Sequence, residues 1–317
     1  MAKYILKRLL QAIPLLLLIS VISFFIISLA PGDPINMFIN PEKMTKVDVE
    51  LIRHNLGLDK PIYIRYFIWL GNIVRGDFGT SFLRSKPVMD ILLEAMPNTI
   101  ILSLAAALLS FLIAIPAGII SAVKKGKVVD YISSAIAFVG VSIPSFWFGL
   151  MMLLVFGAKL GWVPIGGMRA NYDQFVLSDR LIHLILPTIV LGFGYMAYDM
   201  RYMRSGMLEV IRMDYIRTAR SKGLSEFVVV MKHAFRNALL PVITIIGFTV
   251  ADLLSGAAIV ESIFAWPGLG RIIVEANFAR DYPVLMGDLI FVSVMVVIGN
   301  LVADVLYAAA DPRIKYD

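Results

Sequence analysis

The sequence predicts an all-α membrane protein: six transmembrane helices, with a small external subdomain between the first and the second. Three observations carry that expectation. Hydrophobic residues fill 59% of the 317 positions and charged residues only 16%, where soluble chains run at roughly 45–50% and about 25%. The apolar residues gather into blocks of about 20 or more, the length a bilayer demands. Lys and Arg crowd the ends of those blocks, so the net charge of +6 reads as membrane orientation, and no nucleic-acid partner is expected. Mean hydropathy is +0.82. The chain contains no cysteine, which excludes disulfides and thiolate metal sites.

The first span is Leu9–Ala30. Lys3, Lys7 and Arg8 precede it as a signal peptide's basic region would, but its apolar run exceeds the usual 7–15 residues and Pro31 follows directly. An uncleaved helix is the expectation. Residues 31–97 are the sizeable soluble part, with turns at Pro31-Gly32-Asp33-Pro34 and Arg75-Gly76-Asp77, a helix around Thr45–Asn55 and a second around Ile62–Val74. His54 lacks neighbouring ligands and reads as a surface residue.

The remaining spans are Asn98–Val123, Tyr131–Ala158, Leu181–Tyr202, Leu240–Ile263 and Val284–Ala309, forming a core over 98–309 with a short tail at 310–317. The third is overlong and must tilt or project. Pro14, Pro116, Pro144 and Pro187 lie in or at the ends of spans, where a bundle can satisfy the carbonyls they free. Gly192 and Gly194 allow close helix approach in span four. With the N-terminus inside, the inner segments hold 16 Lys and Arg and the two short outer loops hold five, which puts both termini on the cytoplasmic side.

The most patterned polar stretch, Asp214–Pro241, takes up most of the inner loop 204–236 and runs on into span five. Asp214 suits an N-cap, Tyr215, Ile216 and Ala219 line one helical face, and Gly223 sits where a C′ glycine ends a helix. Ser225 then caps a helix running through Phe227–Phe235 into span five. A helix–glycine–helix elbow of this kind presents a small rigid knob to another protein.

Catalytic chemistry finds little support. No GxxxxGK[ST] phosphate loop, HExxH or GxSxG occurs, and the three histidines fall in three regions. Acids within the spans are the remaining candidates. Asp252 lies near the middle of span five, where it suits either packing or a cationic group. Asp288 and Asp304 flank the ends of span six and read as interfacial, and Asp199 reads as a partner for Arg201 or Arg204.

The ordered runs LKRLL, APGDP, LGLDKP, GDFGTS, IPSFW, LPTIVLG, ESIFAWPGLG, RDYPV and DPRI resemble the membrane subunits of bacterial ABC importers for dipeptides, oligopeptides and nickel, over essentially the whole chain. The resemblance implies a type I ABC importer permease fold and no enzyme activity or cofactor on this chain, with ATP and Mg on partner subunits. It implies a place for this chain in the bacterial inner membrane, in a heterodimer with a second, similar permease, with two ATPase subunits and an extracytoplasmic solute-binding protein as partners. The elbow then resembles the EAA coupling loop that docks on the ATPase, with Thr218, Ala219 and Gly223 at its core positions and a threonine in place of the acid. Tyr215, Arg217, Thr218, Ala219, Arg220, Lys222, Gly223 and Leu224 become the coupling residues. Pro144, Trp147 and Asp252 become residues of the translocation path. The expected cargo is a short peptide, with nickel or a metal chelate as the alternative. A stand-alone secondary transporter would show inverted repeats or short broken spans, and a membrane-embedded enzyme would need a convergent nucleophile or metal cluster.

Overall fold

A long pair of packed helices organises the computed structural model, which describes residues 2–29, 50–51, 53–54, 57–170, 176–238 and 257–310. The elements are α1 (Ala2–Leu29), α2 (Ile62–Val74), α3 (Val88–Val123), α4 (Val128–Ser142), α5 (Ser145–Met152, continued by a π-helical stretch Leu153–Lys159), α6 (Leu177–Val210), α7 (Asp214–Ser221), α8 (Glu226–Val228, continued by a π-helical stretch Val229–Phe235), α9 (Ala258–Ile263), α10 (Leu269–Ala279) and α11 (Tyr282–Ala310). Among the described residues, four helices are long and apolar enough to cross a membrane: α1, α3, α6 and α11. The bent pair α4–α5 makes a fifth if counted as one span.

The central pair is α3 with α6. Small residues bring their backbones together, the packing available to helices that gain no hydrophobic drive in lipid. A Cβ on Gly118 would lie 2.7 Å from Met203 Cβ, and one on Gly192 would lie 3.0 Å from the Ala106 carbonyl oxygen. Helix α4 lies against the same pair, where a Cβ on Gly140 would meet Ala197 at 2.9 Å. On another side α1 runs beside α11, joined by Arg8 Nη2 to Asp304 Oδ2 at 3.0 Å. Phe24 of α1, Tyr66 of α2 and Met286 of α11 share a buried cluster, and Ser20 Oγ lies 2.9 Å from Tyr66 Oη.

Several expectations shift. Span two begins at Val88, ten residues before Asn98, because the turns ahead of Pro97 bury Val88, Ile91, Leu92 and Ala95 against α10 and α11. Pro97 and Pro116 sit within that helix, leaving the Leu93 and Leu112 carbonyls without their usual donors four residues on. Span four runs from Leu177 to Val210, well beyond Tyr202. The overlong third span is two helices meeting at 99°, with Ile143 extended and Pro144 opening the second. Helix α2 matches its expected Ile62–Val74. The turn at Pro31–Pro34, the Leu240–Gly256 part of span five and Asp252 lie outside the described residues, as does most of the helix expected around Thr45–Asn55.

One end of the bundle is closed by buried polar bonds. Glu261 is fully buried and accepts from Thr99 Oγ1 at 2.7 Å and from the Arg271 N–H at 3.0 Å. Thr99 Oγ1 itself accepts from the Leu269 N–H at 2.8 Å. Trp266 Nε1 donates to the Asn98 carbonyl at 2.9 Å, and Asn98 Nδ2 donates to the Pro267 carbonyl at 2.9 Å. Gly268 is required here, since a methyl would fall on the Glu261 carboxyl group. Close by in the chain, Asp281 accepts from Ser81 Oγ and from the Phe82 and Leu83 N–H groups, at 2.5, 3.1 and 3.1 Å. Runs that are distant in sequence, GDFGTS with RDYPV and Asn98-Thr99 with ESIFAWPGLG, therefore meet in space. Asp288, expected at an interface, is instead 3% exposed, and its Oδ1 has no hydrogen-bond partner among the described residues. Desolvation at that depth exceeds what an interfacial acid bears.

Candidate functional site

The elbow occupies the opposite ends of α3 and α6. Ile216 and Ala219 of α7 are buried with Ile119 and Ala122 of α3 and Met203 and Met207 of α6. Val229, Val230 and Ala234 of the π-helical stretch complete the same cluster. Two apolar contacts three residues apart fix α7 as a short amphipathic helix lying flat on the bundle.

Local chemistry shapes the knob. Met213 takes the N-cap position without a side-chain bond, and Asp214 is the first helical residue, so the cap lies one residue earlier than expected. Asp214 still favours the start by placing a negative charge in the first turn. Gly223 has φ +77° and ends the helix in the left-handed region, with open space around its Cα. Ser225 stands at the cap position of α8 without a side-chain hydrogen bond. Arg220 instead clamps the two helices, with Nε and Nη2 at 3.1 and 2.7 Å from the Glu226 carboxylate. The Arg220 guanidinium holds the Glu226 carboxyl below its usual range.

Of the eight expected coupling residues, Tyr215, Arg217, Thr218, Arg220, Lys222, Gly223 and Leu224 are exposed. Ala219 is not; it is 6% exposed and belongs to the seat, because its position falls on the buried stripe with Ile216. Thr218, standing where an acid was expected, donates from Oγ1 to the Asp214 carbonyl at 3.0 Å and so bonds its own helix. Phe227 was not singled out from sequence, yet it is 76% exposed, and Leu224 and Met213 are exposed apolar residues too. An aromatic in a polar loop was the available signal. The outward face is therefore basic with apolar points, and suited to a partner offering acids around an apolar pocket.

A second feature is the α4–α5 break. Pro144 and Trp147 are both exposed, Trp147 at 49%. The last carbonyls of α4 and the first N–H groups of α5 have no intrahelical partners by helix geometry. Polar backbone at membrane depth persists only where protein or a water-filled cavity covers it. Asp199 differs from its expected role: it accepts from Ser110 Oγ at 2.5 Å, while Arg201 lies over the Tyr198 ring, 5.2 Å from its centroid, and Arg204 binds Asp130.

An exposed basic knob thus sits on the ends of two long apolar helices, with a broken helix beside them. Residues 114–316 match the family described as the binding-protein-dependent transport system inner membrane component, and residues 1–105 match its N-terminal companion. The chain belongs to that family. The family member described here is 47% identical over 317 residues, 100% of both chains, to the oligopeptide transport system permease protein AppB of Bacillus subtilis. It is 43% identical to a putative peptide permease protein of Brucella suis, over 99% of both chains. With the glutathione transport system permease protein GsiC of Escherichia coli K12 it shares 40% identity over 316 residues, 100% of both chains. Among solved structures, a chain of the inward-facing MetNI methionine ABC transporter aligns with a TM-score of 0.59 at 20% identity, covering 72% of this chain and 99% of that one, which supports the fold. The protein is thus a multi-pass inner-membrane permease component of an ABC importer, a transport subunit and not an enzyme.

Proposed function

We propose that this permease moves short peptides inward on energy from ATP hydrolysed by partner subunits, and that the elbow is where that energy enters. Support for peptides comes from the named cargo of three full-length relatives, oligopeptide, peptide and glutathione; no observation here favours nickel. The elbow's form carries the mechanism. Its seat, Ile216 and Ala219, grips both central helices, while Tyr215, Arg217, Thr218, Arg220, Lys222, Gly223 and Leu224 face away. A groove on an ATPase that closes around this outward face would tilt α3 and α6 together.

In this reading ATP and Mg bind on the ATPases, and this chain contributes no cofactor site. It pairs with a second, similar permease, a solute-binding protein delivers cargo from outside, and two ATPases dock on the cytoplasmic side, where both termini lie. Span five, with Asp252, completes a six-helix bundle, and residues 31–97 form the external subdomain down to the first turns of α3. The exposed break at Pro144 and Trp147 lines the translocation path or its permease partner, which meets the need to cover its polar backbone.

The test is deletion of Arg217–Gly223. ATPase copurification is expected to vanish while membrane insertion persists. Full-yield copurification of the ATPases with the deleted chain would defeat this account of the elbow.

A further inference from the structure

Asp130 carries an arrangement that none of the functional roles above uses. It is the acid of the first turn of α4, and only 4% exposed. Four donors from three neighbouring elements converge on its carboxylate. Arg204 of α6 supplies Nε to Oδ1 at 2.7 Å and Nη2 to Oδ2 at 3.0 Å, a forked contact. Ser121 Oγ from the last turn of α3 donates to Oδ1 at 2.5 Å. The Gly126 N–H of the intervening turn donates to Oδ2 at 2.9 Å. Arg204 Nε also lies 3.1 Å from Ser121 Oγ, so the two donors lean on each other.

The location gives this clasp its meaning. Ile119 and Ala122 of α3, and Met203 and Met207 of α6, form the seat of the elbow. Ser121 and Arg204 belong to those same helical turns but bond to Asp130 instead. Each turn thus holds the elbow through one set of side chains and the start of α4 through another. Helix α4 leads directly to the 99° break at Pro144. A helix-start acid needs only local N–H donors; a part-buried fork reaching across from α6 does more, because a bidentate Arg–carboxylate pair fixes orientation as well as distance.

We propose that the Asp130–Arg204–Ser121 clasp is a positioning element of the transport cycle, which makes the start of α4 move as one body with the elbow's seat and so conveys the ATPase stroke to the Pro144 break. The proposal rests on the reading of the elbow as the ATPase receiver. Asp130 touches neither cargo nor ATPase; it acts through α4.

The experiment uses the assembled transporter in proteoliposomes, with Asp130→Asn, Arg204→Lys and the charge-free double variant Asp130→Asn with Arg204→Gln. The double variant removes any unpaired buried charge, so it serves where a single variant fails to insert. ATPase copurification and ATP hydrolysis are expected to persist, while peptide taken up per ATP falls about tenfold. Arg204→Lys, which keeps the charge but loses the fork, should fall between. A second readout needs no cargo. This chain lacks cysteine, so Ser221→Cys on the elbow and Tyr131→Cys on α4 carry its only spin labels. With the clasp intact, their separation should be the same without nucleotide and after trapping with ATP and vanadate; with Asp130→Asn it should change on trapping. An unchanged uptake ratio in the variants, a joint loss of hydrolysis and uptake, or a label separation that already changes with the clasp intact would each overturn the proposal. Failure of the unaltered transporter to import any peptide would count against the cargo reading alone, because the label distances do not depend on cargo.

Discussion

The two ends of the central helix pair hold their neighbours in different ways. At the Glu261 end, Thr99, Asn98, Trp266 and Asp281 are tied into buried or part-buried side-chain-to-backbone bonds. At the elbow end the contacts between α7 and the bundle are apolar and few, and the polar side chains of α7 face outward. Buried polar bonds are costly to leave half made, since a group stripped of its partner keeps the full desolvation cost. One end is a frame of polar bonds; at the other, an apolar joint seats α7 while Asp130 clasps the same turns of α3 and α6 to α4.

The largest effect should come from breaking the frame. Thr99→Val keeps the shape but removes the hydroxyl that serves both Glu261 and the Leu269 N–H. A loss of about 3 kcal/mol is expected, because the Leu269 N–H is left unpaired and Glu261 keeps only the Arg271 N–H, visible as a lower melting temperature of the purified protein, with ATPase binding retained by what remains folded. At the joint the pattern should invert. Phe227→Ala removes an exposed ring and should leave the melting temperature almost unchanged, within about 0.5 kcal/mol, while weakening ATPase copurification about tenfold. If Phe227→Ala destabilises the chain and Thr99→Val does not, the contrast between the ends is wrong.

Smaller effects probe the joint itself. Gly223→Ala meets no neighbour, so its cost is the left-handed backbone alone, about 1 kcal/mol, measurable as faster amide exchange in α7. The smallest concerns Arg220 and Glu226. Because the folded carboxyl titrates below its ordinary value, the pair's contribution is full above about pH 4.5 and fades as pH falls through the lower folded value. Exchange in α7 should therefore not respond to the pair between pH 7 and 5.5, and should rise in more acid solution. Glu226→Gln should abolish that acid response. The pair is half-exposed, and solvent screening keeps its worth well under about 1 kcal/mol.

Features that depend on neighbours along the chain could be read from the residues. The apolar blocks mark α1, α3, α6 and α11 because hydrocarbon imposes a length, and Gly223 marks the end of α7 because the left-handed turn imposes glycine. Span three announced a difficulty by its excess length, and Pro144 is where the helix breaks. What sequence reading missed are bonds between residues far apart: Thr99 with Glu261, Ser81 with Asp281, Asp130 with Arg204. A periodicity sees only one helix face, and an acid's partner on another helix leaves no trace in spacing. Asp199 shows the cost of guessing locally, since its partner is Ser110 on α3. Ala219 shows a finer error: matching a motif assigned it to the partner, whereas the period of α7 puts it against the bundle.

The pairing of α3 with α6 also has a consequence for biogenesis. About 90 residues of chain separate their starts, with the bent α4–α5 segment between them. At roughly 5–20 residues per second of synthesis, α3 waits on the order of 5–20 s for its principal neighbour to emerge. During that interval the prolines of α3 and the polar break at Pro144 stand in the bilayer without their final cover. The nascent subunit therefore passes through a stage in which α3 lacks its principal neighbour, and the pace of translation through residues 124–210 sets how long that stage lasts.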